Sequence, residues 1–240
     1  MTAQANDFRV MTSGAFTAAH LDLAPQLERV TKKKIVTVTT SVGTGDTSIP
    51  NRLKRGEVTD LVIVADSLLA QLIEQGLVRG ESRTPLARSS IGLAVRAGAS
   101  RPDVSTPEGL KRTLLAAKSI AYSASVSGQY LTTELYQRLG IADECMPKSR
   151  LITGGERTGA VVARGEADIA FQQVSELLPV PGIAHITPLP PELQKVAVFS
   201  AGIAVTSPDP ALARAAIEFL VSREAESAIS KTGLEPLRER

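Results

Sequence analysis

The chain has 240 residues, 43% of them hydrophobic, enough for one large domain or two of about 100–120 residues each. Its 27 basic and 25 acidic residues leave a net charge of +2, aromatics make up 3%, and there is no Trp. That balance excludes the concentrated basic surface and stacking platforms of a nucleic-acid binder. A single cysteine, Cys145, excludes an internal disulfide or a cysteine-rich metal site, and His20 and His185 lack ligand spacing. No apolar run reaches the ~18 residues of a membrane span, so membrane insertion is not expected. Ala3-Gln4-Ala5 has the small-x-small form of an export cleavage site.

Taken in order, the chain alternates. Phe8–Thr12 reads as a strand and Thr17–Thr31 as a helix with Leu21, Leu23, Leu27 and Val30 as its apolar positions. Lys32-Lys33-Lys34 reads as a solvated turn, followed by the β-branched strand Lys34–Thr40 and a short helix, Ser48–Arg55, closed by Gly56. Leu61–Ala65 is a continuous apolar strand; Asp66 or Ser67 caps the next helix and Gly76 stops it. This start predicts a parallel sheet covered by helices. Ile91–Arg96 is a strand leading out of the first unit. Ser105-Thr106-Pro107-Glu108 reads as a capping box opening a helix to about Lys118. A second α/β unit follows: strand Ile120–Tyr122, helix Gly128–Leu139 ended by Gly140, helix Gly159–Arg164 stopped by Gly165, strand Ile169–Gln172. The Pro-rich piece at 179–191 reads as a loop, Val196–Val205 as a strand, and Asp209-Pro210 as the start of helix Ala211–Val221, with a shorter helix near Glu224–Lys231.

Four junctions share one chemistry. They are Thr12-Ser13-Gly14, the stretch from Thr39 through Ser41, Gly43, Thr44 and Gly45 to Ser48, the run Ser123-Ala124-Ser125-Val126-Ser127-Gly128, and Thr153-Gly154-Gly155-Glu156-Arg157-Thr158. A helix start needs one capping hydroxyl; these carry more. Helix N-termini hold anions, and in open α/β sheets ligands bind at the carboxyl ends of strands. Neither G-x-x-x-x-G-K-[ST] nor G-x-G-x-x-G is present, so the ligand expected is a small anion, not a nucleotide. The junctions at residue 13, 41–44 and 123–128 are expected to converge on it. There is no G-x-S-x-G elbow. Cys145 falls in an expected loop and reads as structural. Arg157, beside Gly154-Gly155, can fork onto a carboxylate.

These residues resemble a type II periplasmic binding protein, most closely the molybdate-binding branch. The resemblance runs from Arg9 to Leu237 and rests on Ser13, on Ser41, Gly43 and Gly45, on the strand Leu61–Asp66, and on the turn Gly165-Glu166-Ala167-Asp168. It implies two α/β lobes with the ligand in the cleft between opposed helix N-termini. One lobe would be built from residues 1–90 and 197–240, the other from 91–196. It further implies a monomer in the periplasm, no cofactor, and a small anionic ligand passed to an ABC transporter permease. Molybdate binders carry a closing tyrosine where this chain has Gln173, and their second-lobe junction has fewer serines. The segments Ser119–Ser123 and Val162–Gly182, with Ser13–Phe16 and Pro50–Leu53, resemble a neighbouring branch that includes aconitate isomerase. That likeness implies a tricarboxylate held by Arg157, Thr158, Gly155, Gln173 and the hydroxyls of Ser13, Ser41, Thr44, Ser123, Ser125 and Ser127, with Gly14, Gly43 and Gly128 lending backbone. Cis/trans isomerisation would also need an allylic acid/base, for which His20, Tyr122 and Glu156 are the candidates. The alternative is a receptor without catalysis, for an organic anion or a molybdate-like oxyanion.

Overall fold

The computed structural model describes residues 7–38, 40 and 45–238. In chain order it runs β1 (Asp7–Thr12), α1 (Gly14–Thr31), β2 (Lys34–Val38), α2 (Ile49–Lys54), β3 (Leu61–Ala65), α3 (Asp66–Glu74), β4 (Thr84–Ser89) and β5 (Ile91–Arg96). Next come α4 (Pro107–Ala116), β6 (Ile120–Ser123), α5 (Val126–Tyr130), a π turn at Leu131–Leu135, α6 (Tyr136–Leu139), α7 (Ala142–Cys145) and β7 (Ser149–Ile152). The chain ends with α8 (Thr158–Ala163), β8 (Ile169–Gln173), α9 (Val174–Leu177), β9 (Ile183–Pro188), β10 (Ala197–Ile203), α10 (Pro210–Leu220), α11 (Arg223–Lys231) and β11 (Leu234–Pro236).

Two compact units result. The first takes the chain up to Arg88 and resumes at Ala197; the second spans Ser89–Val196. The first unit's sheet has the order β11-β4-β10-β3-β1-β2. In it β1 runs parallel to β2 and β3, and β10 runs antiparallel to β3 with Phe199 opposite Ala65. All five residues of β3 are buried because helices cover both faces. Its alternation divides two cores: Leu61 and Ile63 pack with Phe8, Phe16 and Leu27, whereas Val62 and Val64 pack with Met11, Leu69 and Leu72. The second unit's sheet has the order β7-β6-β8-β5-β9. There β6 is parallel to β7 and β8, and β5 is antiparallel to β8 and β9.

The local signals hold where glycine ends a helix. Gly56, Gly76, Gly140 and Gly165 all have φ between +62° and +77°, the left-handed region that lacks a Cβ penalty only for glycine. Lys32 also turns left-handed and is exposed. Several expectations are corrected. The helix at 107 is capped by Thr106, whose Oγ1 accepts from Gly109 N at 3.1 Å, while Ser105 turns to Asp103. The helix expected from Gly128 starts at Val126 and passes through the π turn, which keeps Leu131, Leu135 and Leu139 in one core. The stretch 179–191 contains β9, an edge strand, where a terminal Pro188 costs no ladder bond. Cys145 closes a short helix and is buried. Among the described residues no helix is long and apolar enough to cross a membrane.

Candidate functional site

In the first unit β1, β2 and β3 end at one edge of the sheet. Ser13 caps α1 there: its N–H donates to Ile63 O at 2.8 Å and its carbonyl accepts from Thr17 Oγ1 at 2.9 Å. Its own hydroxyl makes no capping bond, and the buried Oγ has no hydrogen-bond partner among the described residues. Gly14 opens the helix. Thr40 reaches the same edge, its Oγ1 donating to Thr12 O at 3.0 Å. Asp66, at the start of α3, accepts from Arg83 and from Ser200, and the Arg83 guanidinium holds its carboxyl below the usual range. Ser41, Gly43 and Thr44 lie outside the described residues.

His20 is corrected. It lies in the second turn of α1 and is fully buried, with Nε2 2.9 Å from Thr37 Oγ1 of β2. Burial lowers its pKa to about 4, so the ring is neutral at ordinary pH and faces no solvent. It packs a helix onto a strand and presents no surface to a substrate.

In the second unit β6, β7 and β8 run parallel, so their carboxyl ends bring Ser123, Thr153 and Gln173 to one edge. The serine that ends β6 and the two that follow it form a row. Ser123 Oγ lies 3.0 Å from Ser125 Oγ, which lies 2.9 Å from Ser127 Oγ. Ser125 is the N-cap of α5 by backbone geometry, yet its side chain makes no capping bond. The extra hydroxyls therefore serve one another, and a row of rotatable O–H groups at a helix start can turn to meet an anion. Gly128 has a different reason from the one expected. A Cβ there would stand 1.8 Å from the Ser123 carbonyl oxygen and 2.9 Å from the Tyr122 ring. Glycine is needed because the helix presses onto the end of β6. Tyr122 is half-buried against the apolar cluster of Ile120, Tyr130 and Tyr136, so its ring packs with the core.

After β7 the chain turns through Gly154 and Gly155, with φ +71° and +81°. Glu156 is exposed and ion-paired with Arg164 at 2.6 Å, which ties it to a surface cluster that includes Glu166. Arg157 is the N-cap of α8; it is exposed, and its guanidinium makes no hydrogen bond or ion pair with a described residue. Thr158, by contrast, is fully buried, and its hydroxyl donates to Gln172 Oε1 at 2.6 Å. Gln172 Nε2 in turn donates to Glu176 Oε2 at 2.7 Å. Gln173 is buried, ends β8 and stands opposite Ile91; the amide joined to this chain of bonds belongs to its neighbour Gln172.

Glu176 is the group that sequence reasoning missed. It is 7% exposed, and burial pushes its carboxyl up to about 7 against the pull of Arg157 and of the Gln172 amide. Its one signal in the sequence is an acid inside the apolar run Val174–Val180. Among the described residues no three His, Cys, Asp or Glu side chains are grouped to hold a metal ion.

The sequence profile of the bacterial extracellular solute-binding proteins matches residues 8–235. An aconitate isomerase from a Pseudomonas species is 41% identical over 229 residues, covering 95% of this chain and 87% of its own. The periplasmic molybdate-binding protein of Azotobacter vinelandii superposes with a TM-score of 0.78 at 18% identity, over 97% of this chain and 100% of that one. The binding protein AgtB of A. tumefaciens R10, solved in complex with agropinic acid, superposes with a TM-score of 0.68 at 15% identity, over 98% of this chain and 84% of that one. At such identities the two solved structures speak for the fold alone.

Proposed function

The chain belongs to the bacterial extracellular solute-binding protein family and has the type II periplasmic binding protein fold, and from that premise we propose that it binds a small unsaturated tricarboxylate and interconverts cis- and trans-aconitate. The observation that carries this reading is the 41% identity to an aconitate isomerase along nearly the whole chain. The second unit supports it chemically. An exposed arginine at a helix N-terminus suits a carboxylate, and the serine row adds neutral donors. In the reaction a base removes a proton from the saturated carbon, the double bond shifts, and the far carbon is reprotonated; atoms and charge balance with no co-reactant. The family favours a second reading, a periplasmic receptor that binds the same anion without turnover and hands it to an ABC transporter permease.

Incubation with cis-aconitate, followed by proton NMR, is expected to yield the trans isomer. Binding with no conversion would leave the receptor. Aconitate at ~100 times its Kd should stabilise the fold by roughly 2.7 kcal/mol, seen as a raised melting temperature, and molybdate or sulfate should not. A strong shift with molybdate and none with any di- or tricarboxylate would overturn the carboxylate reading.

Arg157 is expected to matter more than any other base. Arg157→Ala should weaken aconitate binding by about 1.5–3 kcal/mol, and Arg157→Lys, which keeps charge but loses the fork, should still weaken it. Unchanged affinity in a calorimetric titration of Arg157→Ala would make it an ordinary surface residue.

A further inference from the structure

We propose that Glu176 is a positioning residue of the anion site in the second unit: it holds Thr158, the neighbour of Arg157, through Gln172, and it takes up a proton when a polycarboxylate engages Arg157. The inference rests on the reading that a ligand carboxylate lies at Arg157.

The geometry comes first. Thr158 begins α8, Gln172 lies near the end of β8, and Glu176 sits in α9, which folds back over that strand. Two bonds of 2.6 and 2.7 Å join the three, and none is more than 7% exposed. The bonds set the Gln172 amide one way round: its nitrogen must face the carboxylate, so its oxygen faces the Thr158 hydroxyl. The first turn of α8, which carries Arg157 at its cap, is thereby tied to α9.

A buried carboxylate is costly, and an apolar side chain of the same size would serve packing better. The other buried acid among the described residues is Asp60, which accepts from the Arg9 N–H and the Ser207 hydroxyl inside the first unit. Glu176 has a different setting. The elements packed most closely against α9 are β5, β8 and β9, and its Ser175 also meets Ser89 at the end of β4. Their charged or titratable side chains are Arg96 at the end of β5 and His185 in β9, and neither acts on Glu176. The charge that does is Arg157, the exposed cation at the start of α8.

Burial and that attraction work against each other. Burial disfavours the ionised carboxylate and Arg157 favours it, and burial prevails, which pushes Glu176 up to about 7. A ligand carboxylate forked onto Arg157 removes the cation's attraction and adds a negative charge nearby. Both effects favour the protonated acid, so a proton passes from solvent to the Glu176 carboxylate as the ligand binds. By linkage, binding must then strengthen as pH falls. The protonated acid keeps an oxygen to accept from Gln172, so the chain of bonds to Thr158 survives the change.

The test is isothermal titration of trans-aconitate into the full chain between pH 7 and 8.5, in buffers of different ionisation heat. The expected result is net proton uptake by wild type and a Kd that weakens by up to about tenfold per pH unit. Glu176→Gln is expected to abolish both, leaving a flat Kd. Binding without proton uptake, or the same uptake and slope in Glu176→Gln, would overturn the inference and leave the aconitate reading standing. Failure of every di- and tricarboxylate to bind would overturn both. Should Glu176→Gln not fold, carboxyl carbon NMR of wild type decides: the Glu176 midpoint should rise when trans-aconitate is added, and an unmoved midpoint overturns the inference.

Discussion

Gly128→Ala is expected to destabilise the second unit by about 3 kcal/mol or more, at the upper end of overpacking costs. The added methyl would lie 1.8 Å from the Ser123 carbonyl oxygen, a backbone atom that cannot swing aside, and 2.9 Å from the Tyr122 ring. Relief requires the start of α5 to lift off β6 by more than an ångström, which pulls Ser125 and Ser127 out of their row. A melting temperature lower by roughly 6–12 °C is expected, with aconitate binding reduced alongside. Gly140→Ala is the matched control. Gly140 has φ +62° and nothing within 4 Å of an added Cβ, so only the left-handed strain of about 1–2 kcal/mol applies. Equal losses in the two variants would show that the contact at Gly128 yields easily.

His20→Leu is expected to reverse the order of stability with pH. The folded imidazole is lowered to about 4 from an unfolded value of 6.5. A group depressed in this way contributes stability above the unfolded value and loses it as pH falls towards the folded one, so the window is 6.5 down to 4. Across it the wild type should lose about 3 kcal/mol that the leucine variant keeps. At pH 7 the variant lacks the Thr37 contact and should be weaker by roughly 1 kcal/mol; near pH 4 it should be the more stable of the two. Urea unfolding of both proteins at the two pH values measures this. A difference that does not change with pH would mean that the ring reaches solvent in the folded state. Glu176 runs the other way, since its raised value favours the fold below 4.5 and the advantage is lost as pH rises through 7.

How far the site was legible follows from what each residue depends on. The hydroxyl-rich junctions at Ser13 and Ser123–Gly128 do follow strand ends, and Arg157 does open a helix. Those are local properties of short segments. The roles within the junctions were less legible. Gly128 answers to the carbonyl of Ser123, His20 to a hydroxyl on β2, and Thr158 to an amide on β8. None of these partners is set by the pattern around the residue itself. Glu176 was passed over because one acid in an apolar run looks like a solvated position until the chain has folded over it.

The sequence by itself determined most of the helices and the more apolar strands, the glycine stops, the caps at Thr106 or its neighbour and at Asp209, and the likeness to a binding-protein family. Each depends on backbone preference or on hydrophobic period, which neighbours in the chain decide. Four strands escaped it. β7, β9 and β11 lie at sheet edges with mixed exposure and lack an apolar run, and β4 is interrupted by Pro85 and Arg88. Only the tertiary structure decided that β10 returns to lie between β4 and β3, so that both chain ends build one sheet. Only it decided that a neutral histidine and a carboxyl near pH 7 are buried, because desolvation comes from atoms far away in sequence, gathered by the fold around a side chain whose own neighbours carry no trace of them.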